Sequence, residues 1–429
     1  MEHFTNKTQG NLSIFEKSVL PRLITKTMKI LLIDDQKLVL IPLANKLEEM
    51  GYKVTKTTNG IEGIELYDTV KPHLVIVDIN MPTISGLEIV KYIRNSKKPK
   101  TPIIILSGST DDDVLSSSFE LGVNDYMRKP LSLNEVGLRI KKIIGFSPLH
   151  SSKTKYSKTI LKHRCVGIVI PCYNEEKRLN GKDFIDYIDR NAGYHLCFVN
   201  DGSTDKTLAI LKSLSKSRED FITVYDCAEN AGKAEAVRLG MLHMAKRDDL
   251  DYIGFLDADL STSLSDFDDL VAAIESSKYK IVSGSRISRM GADIDKEPAR
   301  ELISLAINFI IRKILRMNFN DTQCGAKVFH RDVVHISFDK KFISKWIFDI
   351  EIYRRITLYF GLKKARKIVC EQPLKRWIHS AGSKLSMKDS IKIIGQLLQI
   401  SWHYRARRYK GEKANLKKRE VYVNFNKTF

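Results

Sequence analysis

The apolar run Tyr252-Ile253-Gly254-Phe255-Leu256 passes directly into Asp257-Ala258-Asp259, and this junction limits what the surrounding chain can fold into. Uninterrupted apolar residues suit a strand buried on both faces, as in the interior of an α/β sheet. The carboxylates then fall at the strand end, where open sheets collect their ligands. Two residues apart in extended backbone, Asp257 and Asp259 point to one side and suit a shared hard cation. An isolated Asp-x-Asp is equally well a polar strand exit. Here it has company, because Ile168-Val169-Ile170 runs into Pro171-Cys172-Tyr173-Asn174-Glu175-Glu176, and Cys197-Phe198-Val199 runs into Asn200-Asp201-Gly202-Ser203. Three strands therefore bring carboxylates and turns to one sheet edge.

The same grammar appears earlier in the chain. Met28-Lys29-Ile30-Leu31-Leu32-Ile33 ends in Asp34-Asp35, and strand and helix patterns alternate from there to residue 144. Five of each predict a doubly wound (βα)5 parallel sheet. Strand one delivers Asp34 and Asp35, strand three Asp78, strand four Ser107, and strand five Lys129 followed by Pro130. Three carboxylates at one edge repel one another and call for a divalent cation. A lysine and a hydroxyl beside them suit the oxygens of a phosphoryl group.

This arrangement resembles the receiver domain of bacterial response regulators over residues 28–146. The resemblance implies that Asp78 accepts a phosphoryl group from a sensor histidine kinase or phosphotransfer protein. It also implies Mg²⁺ held by Asp34, Asp35, Asp78 and the backbone carbonyl of Asn80, phosphoryl contacts from Ser107 and Lys129, and Tyr126 as the switch aromatic. Ser107 stands where threonine is common and keeps the hydroxyl. A receiver retained only for dimerisation is the alternative, which puts a homodimer among the expected partners.

Residues 1–27 read as a poorly ordered tail, and residues 147–164 as a linker made basic by Lys153, Lys155, Lys158, Lys162 and Arg164. A second α/β series fills 165–382. Within it, Asn230-Ala231-Gly232-Lys233-Ala234 precedes a helical pattern, and a glycine and lysine at a helix N-terminus suit a phosphate. Between Asp201 and the Asp257/Asp259 pair, that phosphate reads as part of a nucleotide diphosphate.

The order of these pieces resembles glycosyltransferase family 2, whose members have a GT-A fold and use nucleotide sugars. The segments Asp321-Thr322-Gln323-Cys324-Gly325-Ala326-Lys327, Trp346-Ile347-Phe348-Asp349-Ile350-Glu351 and Gly382-Ser383-Lys384 narrow the resemblance to dolichyl-phosphate β-glucosyltransferases, from residue 166 to about 405. It implies that Pro171, Tyr173, Glu175 and Asp201 contact uridine, and that Gly232 and Lys233 lie by the nucleotide phosphates. Asp257 and Asp259 would hold the sugar nucleotide and Mg²⁺ or Mn²⁺, with Asp349 or Glu351 across the anomeric carbon. The implied reaction moves a sugar, glucose first, from a UDP-sugar to a polyprenyl phosphate by single displacement with inversion. The acceptor phosphate is already an anion, so no group has to deprotonate it.

Asn200 and Ala326 depart from the family, standing where an aspartate and an aromatic are common. Gln372-Pro373-Leu374-Lys375-Arg376-Trp377 approximates a Gln-x-x-Arg-Trp signature of processive synthases with one residue too many, so a single sugar is expected per acceptor. Two other readings remain open. One is a mannose or N-acetylhexosamine transferase acting on lipid, glycan or protein, and the other is a non-catalytic two-component signalling adaptor.

The net charge of +20 asks for an acidic partner. Zinc-finger spacing and RNP-like aromatics are missing, so an anionic membrane surface is expected and nucleic acid is not. No apolar run is long enough for a transmembrane helix, and Glu16, Lys17 and Pro21 interrupt the one candidate signal peptide. Six cysteines without a C-x-x-C pair read as reduced thiols. These features point to a cytoplasmic protein held peripherally at the inner face of the cell membrane. Two stripes could serve that contact. Ile303, Ala306, Ile307, Ile310, Ile314 and Met317 form the first, with Arg300, Ser304, Asn308 and Arg312 opposite, and interior packing as its alternative. Residues 383–429 hold the second, a helix opening at Ser386 and Asp389 with Met387, Ile391, Ile394, Leu398 and Trp402 on one side. A basic tail from Arg405 to Arg419 follows it.

Overall fold

The computed structural model of the protein describes residues 27–96, 100–108, 111–145, 159–286, 293–294, 307, 309–377 and 387–406. The tail at 1–26, most of the linker, the Gly382-Ser383-Lys384 segment, Ser386 and the basic stretch beyond 406 lie outside the described residues, as do Arg300, Ile303, Ser304, Ala306 and Asn308. The chain divides into two compact units, Met1–Ile160 and Leu161–Phe429.

In the first unit, strands β1 (Lys29–Ile33), β2 (Lys53–Thr57), β3 (Leu74–Asp78), β4 (Ile103–Ser107) and β5 (Asp125–Arg128) form a sheet in the order β2-β1-β3-β4-β5. Every neighbouring pair is parallel. Strands β3 and β4 are buried along their whole length, and β1 nearly so, which explains their unbroken apolar sequences. At the sheet edge, β2 carries the exposed Lys53 and Lys56, charges that discourage pairing with another chain. Helices α1 (Lys37–Glu49), α2 (Gly60–Val70), α3 (Gly86–Arg94), α4 (Asp112–Glu120) and α5 (Leu133–Ile144) follow the five strands. A two-residue strand β6 (Leu131–Ser132) precedes α5. Helix α3 starts at a capping box in which Ser85 and Glu88 satisfy each other's backbone amides.

In the second unit, β7 (Ile160–Cys172), β8 (Asn191–Asp201), β9 (Ile222–Cys227), β10 (Tyr252–Leu256), β11 (Ile281–Ser285), β13 (Ala326–His330) and β14 (Val369–Pro373) are ordered β14-β11-β13-β10-β7-β8-β9. The sheet is mixed. Strand β13 runs antiparallel to both of its neighbours, β10 and β11, whereas β10 is parallel to β7 and β11 to β14. The short strands β12 (Asp293–Ile294) and β15 (Arg376–Trp377) pair in parallel beside it. Helices α6 (Gly181–Arg190), α7 (Thr207–Ser215), α8 (Lys233–Met244) and α9 (Leu264–Glu275) connect the first five strands. Further helices span Val334–Phe338, Phe348–Phe360, Leu362–Ile368 and Met387–Ala406. All six cysteines are free thiols.

Of the first candidate membrane stripe, Met317 is buried and Ile307, Ile310 and Ile314 are half-buried; the fully buried positions of this segment, Ile311 and Leu315, lie beside the stripe. Among the described residues no helix is long and apolar enough to cross a membrane.

Candidate active site

In the first unit the ends of β1, β3 and β4 and the segment after β5 converge. Lys129 Nζ donates to Asp34 Oδ2 at 2.8 Å and to Asp78 Oδ1 at 3.0 Å. The remaining carboxylate oxygens accept backbone amides, Asp34 Oδ1 from Gln36 (2.9 Å) and Asp78 Oδ2 from Asn80 (2.8 Å). Burial raises the Asp34 carboxyl above its ordinary value; Lys129 opposes the rise and Asp78 adds to it. Burial also works against the charge on Lys129, but the two carboxylates hold the ammonium above the usual lysine value. Ser107 is fully buried beside them, and its carbonyl accepts the Lys129 amide at 2.7 Å. Asp35 is half-buried and Asn80 exposed. Tyr126 is buried, with no hydrogen-bond partner for its hydroxyl among the described residues.

In the second unit the loops after β7 and β8 are stitched together. Asn174 Oδ1 accepts the Thr204 amide (2.9 Å), and Thr207 Oγ1 accepts the Glu175 amide (2.8 Å). Pro171 is half-buried and Tyr173 exposed at the mouth of these loops. Glu175 Oε1 is held by Arg178 (2.8 Å), whereas Glu175 Oε2 is buried without a hydrogen-bond partner among the described residues. Burial raises the Glu175 carboxyl, Arg178 opposes this, and Asp259 and Asp257 push it further up. Both Asp201 oxygens are taken by backbone amides, Oδ1 by Ala231 and Oδ2 by Gly232, each at 2.9 Å. Asp201 thus shapes the turn into α8, where Gly232 adopts a φ of +91° that only glycine takes without strain.

Lys233, the first residue of α8, places Nζ 2.6 Å from Asp257 Oδ1. The contact is an ion pair without hydrogen-bond alignment, so that buried oxygen retains no hydrogen-bond partner among the described residues. Asp259 turns to its own loop, with Oδ1 accepting the Ser261 amide (3.0 Å) and hydroxyl (2.8 Å). Gly325, just before β13, lies against the Asp257 carboxylate.

Sequence reasoning left Asp349 and Glu351 as alternatives, and the structure separates them. Asp349 is buried with Oδ1 2.8 Å from Lys327 Nζ. Burial raises its carboxyl, Lys327 and Lys233 oppose, and Asp257 adds, which puts Asp349 within electrostatic reach of the Asp257 cluster. Glu351 is fully buried and fully engaged elsewhere. It accepts the amides of Ile343 (2.9 Å) and Ser344 (3.0 Å) and the Tyr404 hydroxyl (3.0 Å).

Two features escaped the sequence reading. Lys327 sits inside an apolar strand at 0% exposure, donating to the Cys324 carbonyl (2.7 Å) as well as pairing with Asp349. A charged residue interrupting Ala326-Lys327-Val328-Phe329 was the available signal. The second is the forked pair of Arg286 with Asp321, Nε to Oδ2 at 2.6 Å and a terminal nitrogen to Oδ1 at 2.8 Å. Burial works against the Asp321 charge, but the guanidinium holds its carboxyl below the usual range.

Among the described residues no group of three or more His, Cys, Asp or Glu side chains is gathered tightly enough to hold a metal ion by itself. In the first unit Lys129 occupies the space between two of the three acids. In the second, Lys233 sits against Asp257 Oδ1, and Glu175 Oε2 is a buried oxygen with no hydrogen bond among the described residues.

The response regulator receiver domain model matches residues 30–141, and the glycosyl transferase family 2 model matches residues 167–337. Dolichyl-phosphate beta-glucosyltransferase ALG5C of Trichomonas vaginalis is 31% identical over 252 residues, which cover 56% of this chain and 71% of that protein. The dolichyl-phosphate beta-glucosyltransferase of Saccharomyces cerevisiae is 30% identical over 260 residues, covering 56% of this chain and 75% of that protein. The N-terminal part is 35% identical over 121 residues to the alkaline phosphatase synthesis transcriptional regulatory protein PhoP of Bacillus subtilis, covering 28% of this chain and 50% of that protein. With its acidic strand ends and its basic helix start assembled at one sheet edge, the chain belongs to glycosyl transferase family 2, alongside the dolichyl-phosphate β-glucosyltransferases, and carries a response regulator receiver domain ahead of the transferase.

Proposed function

We propose that the second unit transfers glucose from UDP-glucose to a polyprenyl phosphate at the inner face of the cell membrane, and that phosphorylation of Asp78 regulates the transfer. The observation that carries this reading is the cluster of Lys233, Asp257 and Asp349 at one edge of the sheet, with Glu175 close enough to feel the charges of both Asp257 and Asp259.

In this reading the acceptor's phosphate oxygen attacks C1 of the sugar while the bond from C1 to the diphosphate oxygen breaks. The electron pair leaves with the nucleoside diphosphate and the configuration at C1 inverts. No proton has to move, so orientation and charge supply the rate. Mg²⁺ or Mn²⁺ held by Asp257 and Asp259 would neutralise the leaving diphosphate. Lys233, at the N-terminus of α8, adds positive charge and backbone amides where the phosphates arrive. Pro171, Tyr173 and Glu175 border the nucleoside end, and Asp201 acts by fixing the Ala231-Gly232 turn. Asp349, held by Lys327, is the carboxylate assigned to the sugar. Glu351 is assigned a structural part because all its acceptors are engaged.

For the first unit, Asp78 would take the phosphoryl group from a histidine kinase or phosphotransfer protein. Asp34, Asp35 and the Asn80 carbonyl would hold Mg²⁺ beside it. Lys129 and Ser107 stand where phosphoryl oxygens would arrive, and Tyr126 has a hydroxyl free to change partner.

The test is transfer of labelled sugar from a panel of nucleotide sugars into lipid-soluble product, with polyprenyl phosphate as acceptor. UDP-glucose should be the best donor, and Asp259→Ala should lower the rate by at least about 100-fold. Full activity in that variant with an unchanged metal requirement would overturn the assignment.

A further inference from the structure

The helix Met387–Ala406 has two apolar faces. Leu397, Ile400 and Tyr404 are buried, whereas Ile394, Leu398 and Trp402, spaced one turn apart on the other side, are 39%, 64% and 78% exposed. An apolar stripe left open to water asks for a partner, and the neighbouring charge indicates which. The segment hydrogen-bonded to this helix carries exposed Lys340, Lys341 and Lys345, together with the exposed Trp346, in a chain of net charge +20. Exposed lysines on the segment bonded to a stripe that ends in tryptophan match an anionic bilayer surface.

The same joints lead to the donor site. Ser344 Oγ donates to Gln396 Oε1 at 3.0 Å, and Tyr404 donates to Glu351, which in turn holds the Ile343 and Ser344 amides. The next residue, Lys345, lies over Gly232, and its carbonyl accepts the Ala234 amide at 3.3 Å. A displacement of the helix therefore reaches the turn that carries Gly232 and Lys233.

We infer that the Ile394/Leu398/Trp402 face docks on an anionic bilayer and that the Ser344–Gln396 bond transmits docking to the nucleotide site. The inference rests on the reading that the acceptor is a membrane lipid phosphate, but its readouts do not depend on transfer. In flotation of the full-length protein with phosphatidylcholine vesicles containing phosphatidylglycerol, the wild type should float. Leu398→Glu combined with Trp402→Glu should cut the bound fraction at least about tenfold at an unchanged unfolding midpoint. UDP affinity, read by calorimetry, should tighten several-fold on adding these vesicles to wild type and stay constant for Gln396→Leu, which still floats. A double variant that floats like wild type overturns the docking face. If wild type fails to float and instead self-associates through that stripe, a second copy is its occupant. Unchanged UDP affinity in wild type overturns the transmission. Should both results come out as expected while no polyprenyl phosphate accepts sugar, the acceptor assignment falls and the docking surface stands.

Discussion

Gly325 has no side chain because Asp257 takes the room one would need. A Cβ there would overlap the Asp257 carboxylate, including Oδ2 and Cγ. Gly325→Ala must therefore push Asp257 off its place next to Lys233, at a site where small misplacements cost large factors in rate. The transfer rate should fall by at least about tenfold, against a stability loss of about 1–3 kcal/mol; wild-type turnover in this variant would show that the Asp257 position does not matter. In the sequence, the Asp257-Ala258-Asp259 junction stood out only because two further apolar strands also end in acids; alone it reads as a polar strand exit. That Gly325 and Lys327 serve the same cluster was not visible, since they sit almost seventy residues away and meet it only through the pairing of β13 with β10.

The helix Phe348–Phe360 directs its two acids to different places. Asp349 and Glu351 are two residues apart, about 200° around a helix axis, so they face nearly opposite ways. Asp349 goes to Lys327 and the sheet edge, and Glu351 goes to Tyr404 of the last helix. Glu351 and Tyr404 form a closed joint with Arg355, whose Nε donates to the Tyr404 hydroxyl at 2.9 Å. Removing that hydroxyl in Tyr404→Phe leaves a buried carboxylate and guanidinium each short of a partner. This should destabilise the second unit by about 1–3 kcal/mol in urea unfolding, and an unchanged midpoint would mean the last helix is not held by this joint. The alternating pattern of the first unit was legible because its three inner strands, β1, β3 and β4, are buried almost throughout and read as apolar blocks. The antiparallel insertion of β13 was not, since nothing within Ala326–His330 records which strands flank it. The stripe ending at Met317 stayed open between two readings for a related reason, as a helix packed on its own unit and a helix lying on a membrane share one periodicity.

At the scale of the whole molecule, two units with separate sheets each bring acids and a lysine to their strand ends. In one, Lys129 bridges Asp34 and Asp78; in the other, Lys233 meets Asp257. A phosphoryl group on Asp78 would replace one carboxylate charge with the nearly two of an acyl phosphate, a net gain of about one negative charge where a buried lysine now compensates two carboxylates. That is a large perturbation for a site this enclosed, and on the proposed reading sugar transfer is what responds to it. The direct measurement is the rate of transfer from UDP-glucose to polyprenyl phosphate by full-length wild type and Asp78→Asn, each with and without a small-molecule phosphodonor. Wild type should transfer sugar at a rate that changes several-fold with the phosphodonor, and Asp78→Asn should transfer at one rate in both conditions. No transfer by wild type, or one rate in all four reactions, would contradict a phosphorylation-controlled lipid-phosphate glucosyltransferase.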